Sequence, residues 1–98
     1  MEKVITDIKI DIKFDEPKNY SLTLWNDDTT SFGIVIGALC CAGLPRQKSI
    51  ESAIKAHTEG KCCLGIFSYE IAKAMRDNAV NYARARGAVD FSITIEEE

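Results

Sequence analysis

The hydrophobic pattern of this chain begins at a period of two. In residues 7–14, "DIKIDIKF", Ile8, Ile10, Ile12 and Phe14 fall on one face and Asp7, Lys9, Asp11 and Lys13 on the other. That alternation predicts a strand covered on one side only. "DEPKN", residues 15–19, reads as a turn around Pro17 and Asn19. "YSLTLW" alternates again, with Tyr20, Leu22 and Leu24 on one face, which predicts a second strand and a hairpin with the first.

The period then lengthens. Thr30 or Ser31 is placed to cap a helix running to about Ala42, with Ile34, Val35, Ala38 and Leu39 as its apolar stripe and Gly43 and Pro45 as its stop. Ser49 is placed to cap a second helix, "IESAIKAHTE", where Ile50, Ala53, Ile54 and His57 share a face. Gly60 stands where a left-handed C-terminal cap belongs. "KCCLGIF" predicts a short strand with Gly65 as a bulge or a point of close approach.

Ser68 is placed to cap the longest helix, "YEIAKAMRDNAVNYARAR". Glu70 lies in its first turn and Arg84 and Arg86 in its last, each favourable to the helix dipole, and Gly87 ends it. Val89, Phe91, Ile93 and Ile95 alternate through a closing strand. The resulting order predicts an α+β fold, three helices packed on one face of a small, mainly antiparallel sheet, with an additional N-terminal strand. Residues 1–19 form the extension and residues 20–98 the core domain.

Composition narrows the function classes. Ninety-eight residues make one domain, and 46% apolar with 28% charged residues is ordinary for a globular chain. A formal net charge of −3, with both signs interspersed, gives no basic face for nucleic acid. No apolar run reaches membrane-spanning length, and "MEKVITDIK" lacks the apolar block of a signal peptide, so a cytoplasmic protein is expected. The cysteines form two adjacent pairs, Cys40-Cys41 and Cys62-Cys63. Neighbours on a strand point to opposite faces and chelate poorly, so reduced, mostly buried thiols are expected rather than a metal site.

One feature carries chemistry. "LWNDDTT", Leu24 to Thr30, follows an apolar strand with an amide, two acids and two threonines. These are turn and cap residues, and they are also acceptors. A protonated amine has only donors, so its receptor needs several acceptors from different directions. Asn26, Asp27 and the single histidine, His57, are of the right types. His57 could instead serve a dyad, oriented by Asp27 or Asp28, or simply end a helix whose dipole favours it. No nucleophile elbow, phosphate loop or metal-binding helix is present, so neither an enzyme nor a cofactor is expected.

"YSLTLWNDDTT", "AHTEGKCCLGIF", "SYEIAKA" and "NYARARG", in that order and spacing, resemble the ClpS adaptors of bacterial Clp proteases from Tyr20 to about Glu96. The resemblance implies a fold similar to the C-terminal domain of the ribosomal stalk protein. It implies a protein that binds substrates by an N-terminal Leu, Phe, Tyr or Trp and hands them to a Clp ATPase. By resemblance Asn26, Asp27 and His57 hold the free α-amino group, with Asp28 and Thr30 near the pocket and peptide backbone. Phe32, Val35, Ala53 and Ala56 match the apolar wall, with Val89, or Phe91 in its place, closing it. Glu70 matches a position that docks on the N-domain of the ATPase, with Lys73 on the same helix.

This chain also departs from the family pattern. Ala53 and Ala56 stand where bulkier residues are usual, and Phe32 where an aliphatic is usual, so the pocket is expected to be reshaped or filled from the opposite side. Met75 replaces a common docking lysine. The family's N-terminal extension is flexible and polar, whereas "DIKIDIKF" predicts a strand able to add a sheet edge or pair with a second subunit. The alternative function is therefore a decoy or regulator that binds the Clp machinery or its substrates without delivering them.

Overall fold

The computed structural model describes residues 18–98. The elements run β1 (Tyr20–Trp25), α1 (Phe32–Ala42), α2 (Arg46–Glu59), β2 (Lys61–Phe67), α3 (Tyr69–Ala85) and β3 (Ser92–Glu97). Three helices pack against a three-stranded antiparallel sheet of order β2-β1-β3, the predicted α+β architecture. Among the described residues no helix is long and apolar enough to cross a membrane.

The strand expected over residues 7–14 lies outside the described residues, and so do the hairpin and the second-subunit contact expected of it. Within the described residues β1 is the central strand. It pairs with β2 on one side and β3 on the other from Tyr20 to Trp25, leaving no edge free. The period-two reading of β1 and β3 holds where it matters: Leu22 and Leu24 pair with Ile95 and Ile93 on the helix-covered face. Leu22, Leu24 and Phe91 are fully buried or nearly so, each stabilising by about 1.5–3 kcal/mol relative to exposure. On β2 the register slips between the partners of Leu22 and Thr23, so Leu64 is the extra residue beside Gly65, as expected of a bulge.

Helix starts follow the expected capping residues in two cases of three. The Ser31 and Ser68 hydroxyls accept from Ile34 N and Ile71 N, starting α1 and α3. Gly43 ends α1 in the left-handed conformation. Ser49, expected to cap α2, lies inside it instead. Pro45, with φ preset near the helical value, takes the cap position, and Ser49 N donates to Pro45 O at 2.9 Å to close the first turn. Ser49 is fully buried, and its hydroxyl donates to the same carbonyl at 3.0 Å.

The buried face of α2 is also corrected. Ser49, Ser52, Ala53 and Ala56 are covered, while Ile54 is exposed. Small residues let α2 approach α1 and the sheet closely, and that contact outweighs the greater hydrophobicity of Ile54 in setting the helix rotation. α3 buries Ala72, Ala79 and Ala83 by the same logic. Where α3 crosses α1, Tyr82 fills the space a side chain at Gly37 would need. The thiols depart from expectation too: all four are free, but only Cys62 is buried, Cys40 is half-buried, and Cys41 and Cys63 are exposed. Cys62 and Cys63 do face opposite sides of β2, as strand geometry requires.

Candidate functional site

β1 stops at Trp25, and the chain leaves the sheet directly into the acceptor run. The exit is fixed by one bond beyond the strand ladder, Asn26 N donating to Gly60 O at 2.9 Å. Gly60 is the left-handed cap of α2 at φ 93°, a conformation that disfavours any side chain. His57 lies three residues before it. The pairing of β1 with β2 therefore brings Asn26 to the end of α2 and places the distant histidine across from it.

Asp27 folds the loop with its own carboxylate. Oδ1 accepts from Thr30 N at 2.7 Å and Thr29 N at 3.0 Å, and Thr29 Oγ1 lies 3.1 Å from it. Partial burial works against its charge, but the Thr30 and Thr29 contacts outweigh burial and hold the carboxyl below its ordinary range. The Thr30 hydroxyl stands beside this carboxylate without the geometry of a hydrogen bond. It is the buried side-chain polar atom that lacks a partner among the described residues. Asp27 Oδ2 accepts from no described residue.

Opposite this loop, His57 is exposed near the end of α2, and its ring makes no hydrogen bond to a described residue. It meets the Phe32 ring edge-to-face, with centroids 5.3 Å apart. Phe32 opens α1 and is 46% exposed, so it projects at the rim and does not refill the space above the alanines. Ala53 and Ala56 are buried, and Val35 is half-buried one turn along α1.

These groups enclose a cavity of about 160 Å³ lined by Leu24, Trp25, Asn26, Asp27, Asp28, Thr30, Phe32, Val35, Ala53, Ala56 and His57. Every residue expected at a peptide site is brought together except Val89. That side chain is 70% exposed in the turn before β3 and does not line the cavity, while Phe91 is fully buried in the core. Leu24 and Trp25 line the cavity without having been anticipated. Their position immediately before Asn26 was the available signal, since the strand that carries the acceptors must also wall the space beneath them. The Trp25 ring is held by its Nε1 donating to Thr94 Oγ1 at 2.8 Å and by Lys61 stacked over it at 5.3 Å.

Chemically, the cavity offers acceptors on one side of its mouth and an apolar floor beneath. An apolar cavity of roughly 150 Å³ is enough to admit a benzene ring. No group of three or more His, Cys, Asp or Glu side chains able to hold a metal is found among the described residues. Glu70 and Lys73 are elsewhere, exposed at the start of α3 and outside the cavity lining. Lys73 pairs with Asp77 at 2.8 Å, which holds the Asp77 carboxyl below its ordinary range.

Comparison with known proteins bears on the family and the fold. The family profile described as "ATP-dependent Clp protease adaptor protein ClpS" matches residues 15–94. The chain is 31% identical over 83 residues to the ATP-dependent Clp protease adapter protein ClpS of Nautilia profundicola, covering 84% of this chain and 86% of that one. It is 29% identical over 94 residues to ClpS 1 of Rhodopseudomonas palustris, covering 95% and 91%. The fold is similar to that of Agrobacterium tumefaciens ClpS2 bound to L-phenylalaninamide, with a TM-score of 0.76 at 24% identity, covering 85% of this chain and all of that one.

Proposed function

This chain belongs to the ClpS family of ATP-dependent Clp protease adaptors, and from that premise we propose that it binds the free α-amino group and first side chain of N-degron substrates. The substrates are proteins or peptides beginning with Leu, Phe, Tyr or Trp, which the adaptor delivers to a Clp ATPase in the cytoplasm. The observation that carries this reading is the meeting of Asn26, Asp27 and His57 at one cavity that also has apolar walls.

Each part has a physical role. The ammonium group donates to Asp27 Oδ2, the Asn26 side-chain carbonyl and a His57 ring nitrogen, three acceptors from two elements, the loop after β1 and α2. The first side chain enters between Val35, Ala53 and Ala56, where the cavity has the size for an aromatic ring. Asp28 and Thr30 flank the path of the peptide backbone. L-phenylalaninamide, bound by the Agrobacterium tumefaciens relative, has the same two parts, a free α-amine and a phenyl ring. Glu70 and Lys73, on a separate exposed face, are assigned to the N-domain of the Clp ATPase. The domain division that goes with this reading is an extension over residues 1–19 and a core over residues 20–98.

Calorimetry with paired peptides tests the proposal. A peptide beginning with Phe should bind, and its N-acetylated form should not, because acetylation removes the charge and leaves Asp27 and Asn26 poorly paired. Equal binding of the two forms would remove the amine site. A degradation assay with the Clp protease then separates delivery from capture without delivery.

A further inference from the structure

Thr29 has one hydroxyl proton and faces two carboxylates. Its Oγ1 lies 3.1 Å from Asp27 Oδ1 and 2.9 Å from Asp90 Oδ2. A hydroxyl donates one bond, so the two acids compete for it. They are not equally in need. Asp27 Oδ1 already accepts from the backbone N–H groups of Thr29 and Thr30, whereas Asp90 accepts from no other described residue.

Asp90 is also held firmly from its far side. It sits in the turn between α3 and β3, where Arg84 Nη1 donates to Ala88 O at 2.8 Å and Phe91 O at 2.9 Å. Val89 N donates to Gly87 O at 3.0 Å, and the neighbouring Phe91 ring is fully buried. The carboxylate of Asp90 is thus presented to Thr29 by a braced turn. The two carboxylates can be no farther apart than the two Thr29 bonds laid end to end.

We propose that Asp90 is a positioning residue of the amine site, drawing the Thr29 proton away from Asp27 and adding a further carboxylate to those of Asp27 and Asp28 beside the cavity mouth. The inference rests on the reading of that cavity as an α-ammonium site. With the proton on Asp90, Asp27 keeps its two backbone bonds, which hold its orientation, and less of its charge is neutralised by neighbours. An incoming ammonium then meets a less satisfied acceptor and feels the field of Asp90 behind it. Asp28, on the same rim, and His57, across the mouth, complete the titratable groups that line the cavity.

The test uses the full chain, a peptide beginning with Phe in free and N-acetylated forms, and the variants Asp90→Asn, Thr29→Val and Thr29→Ser. Asp90→Asn should lose on the order of fivefold in affinity for the free peptide at low salt, and less as salt is raised. Thr29→Ser, which keeps the hydroxyl, should bind as the unsubstituted protein does. Adding Asp90→Asn to Thr29→Val should cost less than Asp90→Asn alone, because the relay is already cut.

A ligand-free readout separates this role from a merely structural one. In Asp90→Asn the titration midpoint of the Asp27 carboxyl carbon, followed by NMR, should fall, since Asp27 gains the Thr29 proton and loses a like charge. An unchanged Asp27 midpoint overturns the proposal whatever the affinities, and so does unchanged affinity for the free peptide. If the unsubstituted protein binds free and acetylated peptide equally, the amine-site reading fails. The Asp27 midpoint in Asp90→Asn still decides whether the relay exists.

Discussion

The two sides of the cavity mouth are held in opposite ways. On one side, the loop after β1 is fixed by polar bonds: the Asp27 carboxylate accepts from the backbone N–H groups of Thr29 and Thr30, and Asn26 N donates to Gly60 O. On the other side, packing and exposure are divided between neighbouring residues of α2. Ala53 and Ala56 are buried and set the helix against the core, while His57 next to them is exposed and touches the Phe32 ring. The loop therefore folds and lines the cavity with the same residues, and the helix does so with different ones. On the proposed function, a turn residue and a ligand acceptor are not alternatives at Asp27; the first role orients the carboxylate for the second.

That contrast predicts that a change on the loop side damages binding and stability together, and a change on the helix side damages them separately. The largest effect belongs to Asp27→Ala. It should weaken binding of a peptide beginning with Phe by about 2–3 kcal/mol and lower the melting temperature as well, because a charged acceptor and the tie within the loop are lost together. Calorimetry and thermal unfolding on the same sample check both halves. Unchanged melting would break the comparison.

His57→Ala should weaken binding by about 1.5 kcal/mol, the lower end for a hydrogen bond to a charged group, and leave the melting temperature where it is. A clear loss of stability would show that the helix side is not divided as described. Gly60→Ala tests the joint between the two sides. No atom lies within 4 Å of the added methyl group, so its cost is the left-handed backbone alone, about 1 kcal/mol in chemical denaturation.

The smallest effect is in acid. The folded-state pKa of Asp27 is lowered, so its contribution to stability is present above the ordinary carboxylate pKa of about 4 and lost as pH falls through the lower folded value. The melting advantage of the unsubstituted protein over Asp27→Asn should shrink over that interval and be constant from pH 5 to 7. The group is largely solvated, which keeps the effect small.

How much was legible in the sequence follows from the range of the forces involved. Ser31, Ser68, Gly43 and Gly60 act on groups within four residues, and each was found where the pattern predicted. Ser49 was misread because a serine before an apolar run signals a cap, whereas the contact between α1 and α2 calls for a small buried hydroxyl at that point. Ile54 was misread because hydrophobicity alone does not report how closely two backbones approach. The central place of β1 was not legible in any window, because β2 and β3, which flank it, lie tens of residues away. Val89 belonged by alternation to the closing strand, but β3 starts at Ser92 and the turn before it points Val89 outward.

The sequence by itself determined the element types, the acceptor chemistry of residues 26–28 and the family. All three depend on local periodicity and on motifs read in order. Only the tertiary structure decided that Asn26 and His57 share one mouth, that the alanine floor lies beneath a ring-sized cavity, and that Asp90 reaches Thr29 from the far end of the chain. Those outcomes depend on strand order, on the extra residue in β2 and on the rotation of α2. Contacts between residues tens of positions apart set all of these, and no window along the chain contains both partners.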